Sequence, residues 1–332
     1  MSNHHPYPWQ RSLWQGLIER LQARRLPHAL LLTGPAGLGK RHFADCFSRA
    51  MLCDSPLQDG SACGACRGCL LLEAGSHPDY LRVEPEEEGK GIGIDKVREL
   101  AGFQSLKSQY GRQRVIQLQP ADRLNISAAN ALLKTLEEPA GNTVLLLVTD
   151  RPSSLLPTIR SRCQQVIFRP VSDTDLETHA WLEERLRGSS TLSAAALLQM
   201  ASGAPLRALS LVTDGELALR DELFEGFAAL EQGSVSPLEL AERWLGQGAS
   251  QVLPWFYFCL ADMVQLKMVP TASRLTNPTR RDDLHALAER VDLYFLQALL
   301  ALVQERIGLL QGQANQQVIL EEILLAWIQR RV

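Results

Sequence analysis

The sequence of 332 residues has no run of about 18 apolar residues, the length that a membrane-spanning helix needs. Its first residues, Met1 to His5, lack the charged and then apolar pattern of a secretion signal. Its 34 basic and 37 acidic side chains leave a net charge of −3, without the basic excess of a protein that coats DNA by itself. We therefore expect a cytoplasmic protein with no membrane partner, in which contact with DNA is local or shared with partners.

Strand and helix patterns alternate over about the first 170 residues. Five short apolar runs predict strands, at His28–Thr33, Tyr80–Val83, Val115–Leu118, Val144–Thr149 and Val166–Phe168. Amphipathic segments between them predict helices, for example at Lys40–Leu52, Asp95–Leu106 and Ser127–Glu137. Such alternation predicts a parallel sheet with helices on both faces.

The rest of the sequence has a different pattern. From Asp173 onward the strand patterns end, and Leu-rich and Ala-rich helical patterns continue to Val332. Breaks at Gly203–Pro205 and Gly233–Pro237 interrupt them. We expect an α/β domain over residues 1–171, a small helical domain over 172–210 and an all-helical domain over 211–332.

A glycine-rich segment, Gly34-Pro35-Ala36-Gly37-Leu38-Gly39-Lys40, follows the first predicted strand and opens a predicted helix. In this context the pattern is typical of a phosphate-binding loop, whose backbone N–H groups and helix N-terminus attract phosphate oxygens. Lys40 would contact the β- and γ-phosphates. Gly34, Gly37, Gly39 and Lys40 are therefore candidate residues for binding a nucleotide such as ATP.

The groups that hydrolyse ATP are missing from this loop and from the next core strand. Arg41 stands where the pattern has Ser or Thr, whose hydroxyl binds Mg²⁺. The strand at 115–118 leads into Gln119 and Pro120, where a motor ATPase has adjacent acids, and Asp122 is displaced by three residues. We interpret Asp122 as a helix cap or a surface acid. These losses argue against hydrolysis and leave nucleotide binding open.

Four of the seven cysteines lie within 17 residues, as Cys53-x₉-Cys63-x₂-Cys66-x₂-Cys69. In a reducing compartment this density is more typical of a tetrahedral metal site than of disulfides. We predict a structural zinc site in an insertion at 53–69, with His77 as a less favoured ligand. Gly60, Gly64 and Gly68 allow tight turns, and Cys46, Cys163 and Cys259 are predicted to be buried thiols.

Two further segments carry a family resemblance. Ser127-Ala-Ala-Asn-Ala-Leu-Leu-Lys-Thr-Leu-Glu-Glu-Pro139 resembles the signature of bacterial clamp-loader subunits of the AAA+ class, and Ser161-Arg162-Cys163 is similar to their arginine-finger motif. The order and spacing of the phosphate loop, cysteine cluster, Asn-Ala-Leu-Leu block and Ser-Arg-Cys triplet match. The resemblance covers about residues 1–210.

The resemblance implies a fold, partners and a role. The fold is an α/β phosphate-loop domain, then a small helical lid domain and an all-α collar domain that mediates oligomerisation. The partners are the gamma/tau and delta subunits of DNA polymerase III, with the sliding clamp and primed DNA reached through the complex. Gamma/tau subunits keep a working ATPase site, whereas delta-prime subunits have lost its acids and hydroxyl and retain Ser-Arg-Cys. The sequence therefore resembles the delta-prime branch, a stator without ATP hydrolysis of its own.

Arg162 is the catalytic residue that this resemblance implies. ATP hydrolysis builds negative charge on the γ-phosphoryl oxygens, and an arginine supplied by an adjacent subunit stabilises that charge. Arginine suits this role because its planar fork contacts two oxygens and stays charged. Thr149, Arg207 and Tyr7–Gln10 resemble the sensor-1, sensor-2 and base-contacting segments, and ordinary structural roles remain open for all three.

Two other functions are consistent with parts of the sequence. An active gamma-like ATPase motor would fit the phosphate loop, but Arg41, Gln119 and Pro120 argue against it. A zinc-dependent nucleic-acid-binding protein unrelated to replication would fit the cysteines, but it would need a basic face. ATP turnover by the isolated chain and its salt-dependent binding to DNA discriminate these alternatives.

Overall fold

Five parallel strands form one sheet in the first part of the chain. A computed structural model describes residues 4–87, 90–110, 113–139, 141–172, 174–310 and 314–329, so the predicted domain ends at 1 and 332 and the predicted change of pattern at 173 lie outside the described residues. The chain divides into two compact units, Met1–Trp181 and Leu182–Val332. The strands are β1 (Ala29–Thr33), β2 (Tyr80–Val83), β3 (Arg114–Leu118), β4 (Thr143–Thr149) and β5 (Gln164–Ile167).

The sheet has the order β2-β3-β4-β1-β5, with all neighbours parallel. In register, Leu31 of β1 lies between Leu147 of β4 and Gln165 of β5. Every residue of β1, β3 and β4 is buried, as expected where helices cover both faces of a parallel sheet. The predicted α/β class is confirmed.

Helices connect the strands of the first unit. They are α1 (Arg11–Gln22), α2 (Lys40–Leu52), α3 (Arg67–Glu73), α4 (Ile94–Ser105), α5 (Ile126–Glu137) and α6 (Pro157–Arg162), and α7 (Leu176–Leu186) continues into the second unit. The last strand begins two residues earlier than predicted. Gln164 and Gln165 pair through their backbones with β1 while their side chains are exposed, so they give no apolar signal.

The second unit is helical throughout its described part. Its helices are α8 (Ala194–Met200), α9 (Pro205–Thr213), α10 (Glu216–Glu231), α11 (Pro237–Gln247), α12 (Ala249–Met268), α13 (Arg281–Arg290), α14 (Leu293–Leu309) and α15 (Gln316–Gln329). Phe227, Trp244, Phe256 and Trp327 form the aromatic centre of its core. The predicted all-helical remainder is confirmed. Within the described residues no single helix has the length and apolar character to cross a membrane; the pair α8 and α9, bent by 101°, meets these criteria jointly.

Gly34 fixes the start of the loop between β1 and α2. Its φ of +140° disfavours any residue with a side chain, and a Cβ there would overlap the backbone carbonyl of Phe168, which follows β5. Gly39, at the N-terminus of α2, also has a positive φ, and a Cβ would stand 2.7 Å from the Tyr7 ring. The loop is thus packed tightly against its own chain on two sides.

We predict that Gly34→Ala lowers the free energy of unfolding by about 2–4 kcal/mol, because backbone strain adds to overlap with Phe168. Gly16→Ala in α1 is the matched control, since no described atom beyond its own helix lies within 4 Å of the added Cβ. It should leave stability unchanged or raise it by up to about 1 kcal/mol. Thermal unfolding midpoints test this, and equal midpoints for the two variants would contradict it.

Candidate functional site

The ammonium group of Lys40 is buried in the phosphate loop, with 3% of its side chain exposed. Its Nζ donates to the carbonyl oxygens of Gly34 at 2.6 Å and Pro35 at 2.5 Å, and it lies 2.5 Å from Oδ1 of Asp150. A buried charge is costly unless it is paired and hydrogen-bonded. Here the charge of Lys40 is balanced within the chain, by an acid that directly follows β4.

A polar network occupies the carboxyl ends of β2 and β3. Arg41 donates to Glu84 at 2.8 Å, and Glu84 also accepts from Nε2 of Gln119 at 2.7 Å. Gln117 continues the network by donating to Gln119 at 2.9 Å and to Asp45 at 2.7 Å. The guanidinium at the position of the Mg²⁺-binding hydroxyl thus engages Glu84.

Asp122 faces the end of β4. Its Oδ1 accepts from Thr149 Oγ1 at 2.8 Å, and its Oδ2 lies 3.3 Å from Nε of Arg151. Only 5% of the Asp122 side chain is exposed, and no cap is formed by it, so its interpretation as a helix cap or a surface acid is wrong. Thr149, which the resemblance compares with a sensor-1 residue, is bound to this acid.

The segment before α1 packs on the phosphate loop. Tyr7 and Trp9 stack with ring centroids 4.7 Å apart, and Trp181 contacts both rings edge-on at 5.5 and 4.9 Å. Gln10 Nε2 donates to the carbonyl oxygens of Leu38 at 2.8 Å and Gly39 at 3.1 Å. This aromatic cluster therefore covers the loop with residues of the same chain.

Arg162 is the last residue of α6, a short helix that begins with Pro157 and is anchored by the buried Ile159. Its Nη2 lies 2.6 Å from Oε1 of Glu137, its Nη1 donates to the carbonyl of Thr158 at 3.1 Å, and 36% of its side chain is exposed. The following Cys163 is buried, and burial raises the pKa of its thiol to about 12. The triplet therefore anchors one side chain inside the fold and presents the preceding arginine at the surface.

Arg207 of α9 pairs with Glu216 at the start of α10. Both terminal nitrogens of the guanidinium contact the carboxylate, which gives a bidentate ion pair. The sequence left two interpretations of Arg207, a nucleotide sensor or a helix-start arginine held by a local acid. Its contacts with Glu216 favour the helix-start arginine.

The four predicted cysteines converge. The sulfur atoms of Cys53, Cys63, Cys66 and Cys69 all lie within 4.8 Å of one another, and Cys53 Sγ lies 3.6 Å from Cys63 Sγ and 3.8 Å from Cys66 Sγ. Tetrahedral Zn²⁺ with bonds of about 2.3 Å separates its sulfur ligands by about 3.8 Å. The cluster can therefore hold a metal ion.

Backbone groups favour thiolates in this cluster. The N–H groups of Cys63, Cys66 and Cys69 donate to the sulfurs of Cys53, Cys63 and Cys66, respectively, at 3.3 to 3.4 Å. Backbone N–H groups of Ala65 and Cys66 lower the pKa of Cys63 to about 6, while burial raises the pKa of Cys53 and Cys69. His77 is outside the cluster and accepts from the backbone N–H of Asp79.

The glycines of the insertion serve two purposes. Gly60 and Gly64 have positive φ and make the predicted tight turns. Gly68 instead lies inside α3, where a Cβ would stand 2.5 Å from the carbonyl oxygen of Leu52 at the end of α2. Its role is the close approach of two helices, so its prediction as a turn residue is wrong. Cys46 and Cys259 are buried, as predicted.

Comparison with known proteins settles the family. The profile described as "DNA polymerase III, delta subunit" matches residues 9–172, and that of its C-terminal part matches residues 214–329. DNA polymerase III subunit delta' of Pseudomonas aeruginosa is 38% identical over 97% of both chains. The chain belongs to the DNA polymerase III delta' family. The delta' subunit of Escherichia coli is 33% identical over 96% of this chain and 94% of its own length.

These two delta' relatives match over nearly the whole chain, whereas a tau/gamma match is shorter. DNA polymerase III subunit tau/gamma of Haemophilus influenzae is 32% identical over 51% of this chain and 24% of its own length. The resemblance to the delta-prime branch, predicted from a retained Ser-Arg-Cys beside a depleted ATPase site, is confirmed.

Sequence reasoning missed the acids that partner the candidate residues. Asp150, Glu84 and Glu137 hold Lys40, Arg41 and Arg162, respectively. The position of Asp150 directly after a buried strand, on the loop side of the sheet, was a signal for the first pair. The other two partners are 43 and 25 residues away from their arginines in sequence, and only the fold brings them together.

We predict negligible ATP turnover by the isolated chain, because Arg41, Gln119 and Pro120 supply neither a Mg²⁺ ligand nor a base for water. Steady-state phosphate release with Mg²⁺ and ATP measures this. Lys40→Ala is the control and should leave the residual rate unchanged. A rate above background that Lys40→Ala abolishes would contradict the prediction.

Proposed function

We propose that this chain is the stator of the DNA polymerase III clamp loader and supplies Arg162 to the ATP site of a neighbouring gamma/tau subunit. The observation that carries the proposal is a contrast within one domain. Arg162 is partly exposed at the end of a helix, whereas Lys40 of the chain's own phosphate loop is buried and paired with Asp150. Arg162 is thus accessible from outside the chain, whereas the charge of Lys40 is balanced by groups of the same chain.

The chemistry of the donated arginine is electrostatic. Negative charge grows on the γ-phosphoryl oxygens during hydrolysis, and a guanidinium from the adjacent subunit stabilises it. For this role the arginine needs a rigid backbone and an accessible guanidinium. Helix α6 begins with Pro157 and is anchored by the buried Ile159, which supports a rigid backbone. The partial exposure of Arg162 supports an accessible guanidinium.

We propose the partners of this chain from its family. Relatives named as delta' and tau/gamma subunits of DNA polymerase III support assembly of this chain with gamma/tau and delta subunits, and through them with the sliding clamp and primed DNA. We propose residues 172–210 as the lid domain and 211–332 as the collar. Exposed apolar side chains on α14 and α15 support the collar role: Tyr294, Leu309, Val318, Leu325 and Ile328.

We also propose that the cysteine cluster binds structural zinc. Four sulfurs at near-tetrahedral spacing, with backbone N–H groups that favour thiolates, fit Zn²⁺ with no ligand position left open. Bound zinc would crosslink the end of α2 to α3 through Cys53 and Cys69. Its role would be to hold the insertion folded.

The metal prediction is about one Zn²⁺ per purified chain, measured by elemental analysis after purification without chelators. Cys66→Ser should lower the zinc content and the thermal unfolding midpoint, because a structural metal contributes directly to folding. Cys46→Ser, at a buried cysteine outside the cluster, is the control and should retain the metal. A chain without zinc under reducing conditions would contradict the proposal.

The Arg162 prediction concerns the assembled loader. Arg162→Ala should slow hydrolysis at the neighbouring site by roughly 10³-fold or more and impair clamp loading onto primed DNA. Arg162→Lys should restore only part of the rate, because an ammonium lacks the planar fork. Stability should change by less than about 1 kcal/mol, since a partly exposed ion pair contributes little.

Two controls accompany this test. Arg160→Ala removes an arginine two residues away on α6 and should have a smaller effect, because residues two apart do not share a helix face. Lys40→Ala should likewise have a much smaller effect than Arg162→Ala on ATP turnover by the assembly. The opposite ranking of Lys40→Ala and Arg162→Ala would make this chain a motor.

A further inference from the structure

Glu137 and Arg162 meet at the ends of two helices. Glu137 is the last residue of α5, Arg162 is the last residue of α6, and Oε1 of the acid lies 2.6 Å from Nη2 of the arginine. About half of the Glu137 side chain and a third of the Arg162 side chain are exposed. The pair therefore lies at the surface, where Arg162 would meet a neighbouring subunit.

The location of Glu137 is unfavourable for its own helix. The C-terminus of a helix carries partial negative charge, so a carboxylate there is destabilising unless a cation offsets it. Arg162 is that cation. Glu138, the next residue, carries the same charge and makes no ion pair within the described part of the chain, which makes it a matched comparison.

The contacts of Arg162 leave much of its guanidinium available. The group has five N–H donors. One Nη2–H engages Glu137 and one Nη1–H engages the Thr158 carbonyl, on two neighbouring branches of the fork. The other N–H groups make no hydrogen bond within the described residues, so the fork can be held by its own chain and still face phosphoryl oxygens.

We infer that Glu137 is a positioning residue for Arg162, which holds the guanidinium at the end of α6 in the orientation used against the neighbour's γ-phosphoryl group. This rests on the proposed function of Arg162. An arginine fixed before the partner arrives does not lose its rotamer freedom at the moment of reaction. Removing Glu137 should therefore slow hydrolysis about two- to tenfold, the range expected for immobilising one flexible side chain.

The experiment uses the complete clamp loader with clamp and primed DNA. Wild type is compared with Glu137→Ala, Glu137→Gln, Glu138→Ala, Arg162→Ala and the double variant Glu137→Ala with Arg162→Ala. Complex formation and thermal midpoints are checked first for every variant. ATP turnover is then measured as kcat and KM.

We expect Glu137→Ala to lower kcat two- to tenfold with little change in KM, because the interaction serves the transition state. Glu137→Gln should be intermediate, since it keeps an acceptor without the charge. Glu138→Ala should equal wild type. The double variant should equal Arg162→Ala alone, because Glu137 acts through the arginine.

Three results would overturn the inference. In the first, Glu137→Ala turns over ATP as fast as wild type while Arg162→Ala is slow. In the second, Glu137→Ala is faster than wild type, and the acid would then be a competitor for the arginine. Glu137→Ala could also slow the Arg162→Ala background further, which would give it a separate role. An Arg162→Ala variant that matches wild type is a distinct result, since it overturns the proposed function itself.

Discussion

A buried ammonium group organises the candidate site. Lys40 lies inside the turn between β1 and α2, where its charge has to be balanced by nearby oxygens. Two loop carbonyls and Asp150 supply them, so the loop keeps the shape of a phosphate-binding loop through contacts within the chain. The glycines that permit this shape are fixed by packing against Phe168 and Tyr7.

Other charged and polar side chains are likewise paired with groups of the same chain. Arg41 holds Glu84, Thr149 and Arg151 hold Asp122, and in the second unit Arg207 holds Glu216. Each of these groups has a partner within its own chain. Arg162 is also paired within the chain, with Glu137 and the Thr158 carbonyl, and 36% of its side chain stays exposed.

Periodicity and apolar runs predicted the five strands and the helices α2, α4 and α5 of the first unit. β1, β3 and β4 are buried at every position, so apolar residues dominate their sequences, as Leu-rich runs in β1 and β4 and as Val115, Ile116 and Leu118 in β3. The start of β5 could not be predicted, because Gln164 and Gln165 join the sheet through their backbones while their side chains are exposed. The cysteine cluster was predictable because its ligands are close in sequence. The role of Gly68 was not predictable, because that role depends on how α3 packs against the carbonyl of Leu52.

Helix α2 connects the two distinctive features of the domain. It begins at Lys40 in the phosphate loop, and Cys53 of the cysteine cluster caps its other end. A helix of 13 residues is a stiff rod about 20 Å long. A tilt of about 5° at the cysteine end would displace the lysine end by about 2 Å, by the geometry of such a rod. A shift of the cysteine cluster would therefore reach the phosphate loop through a single rigid helix.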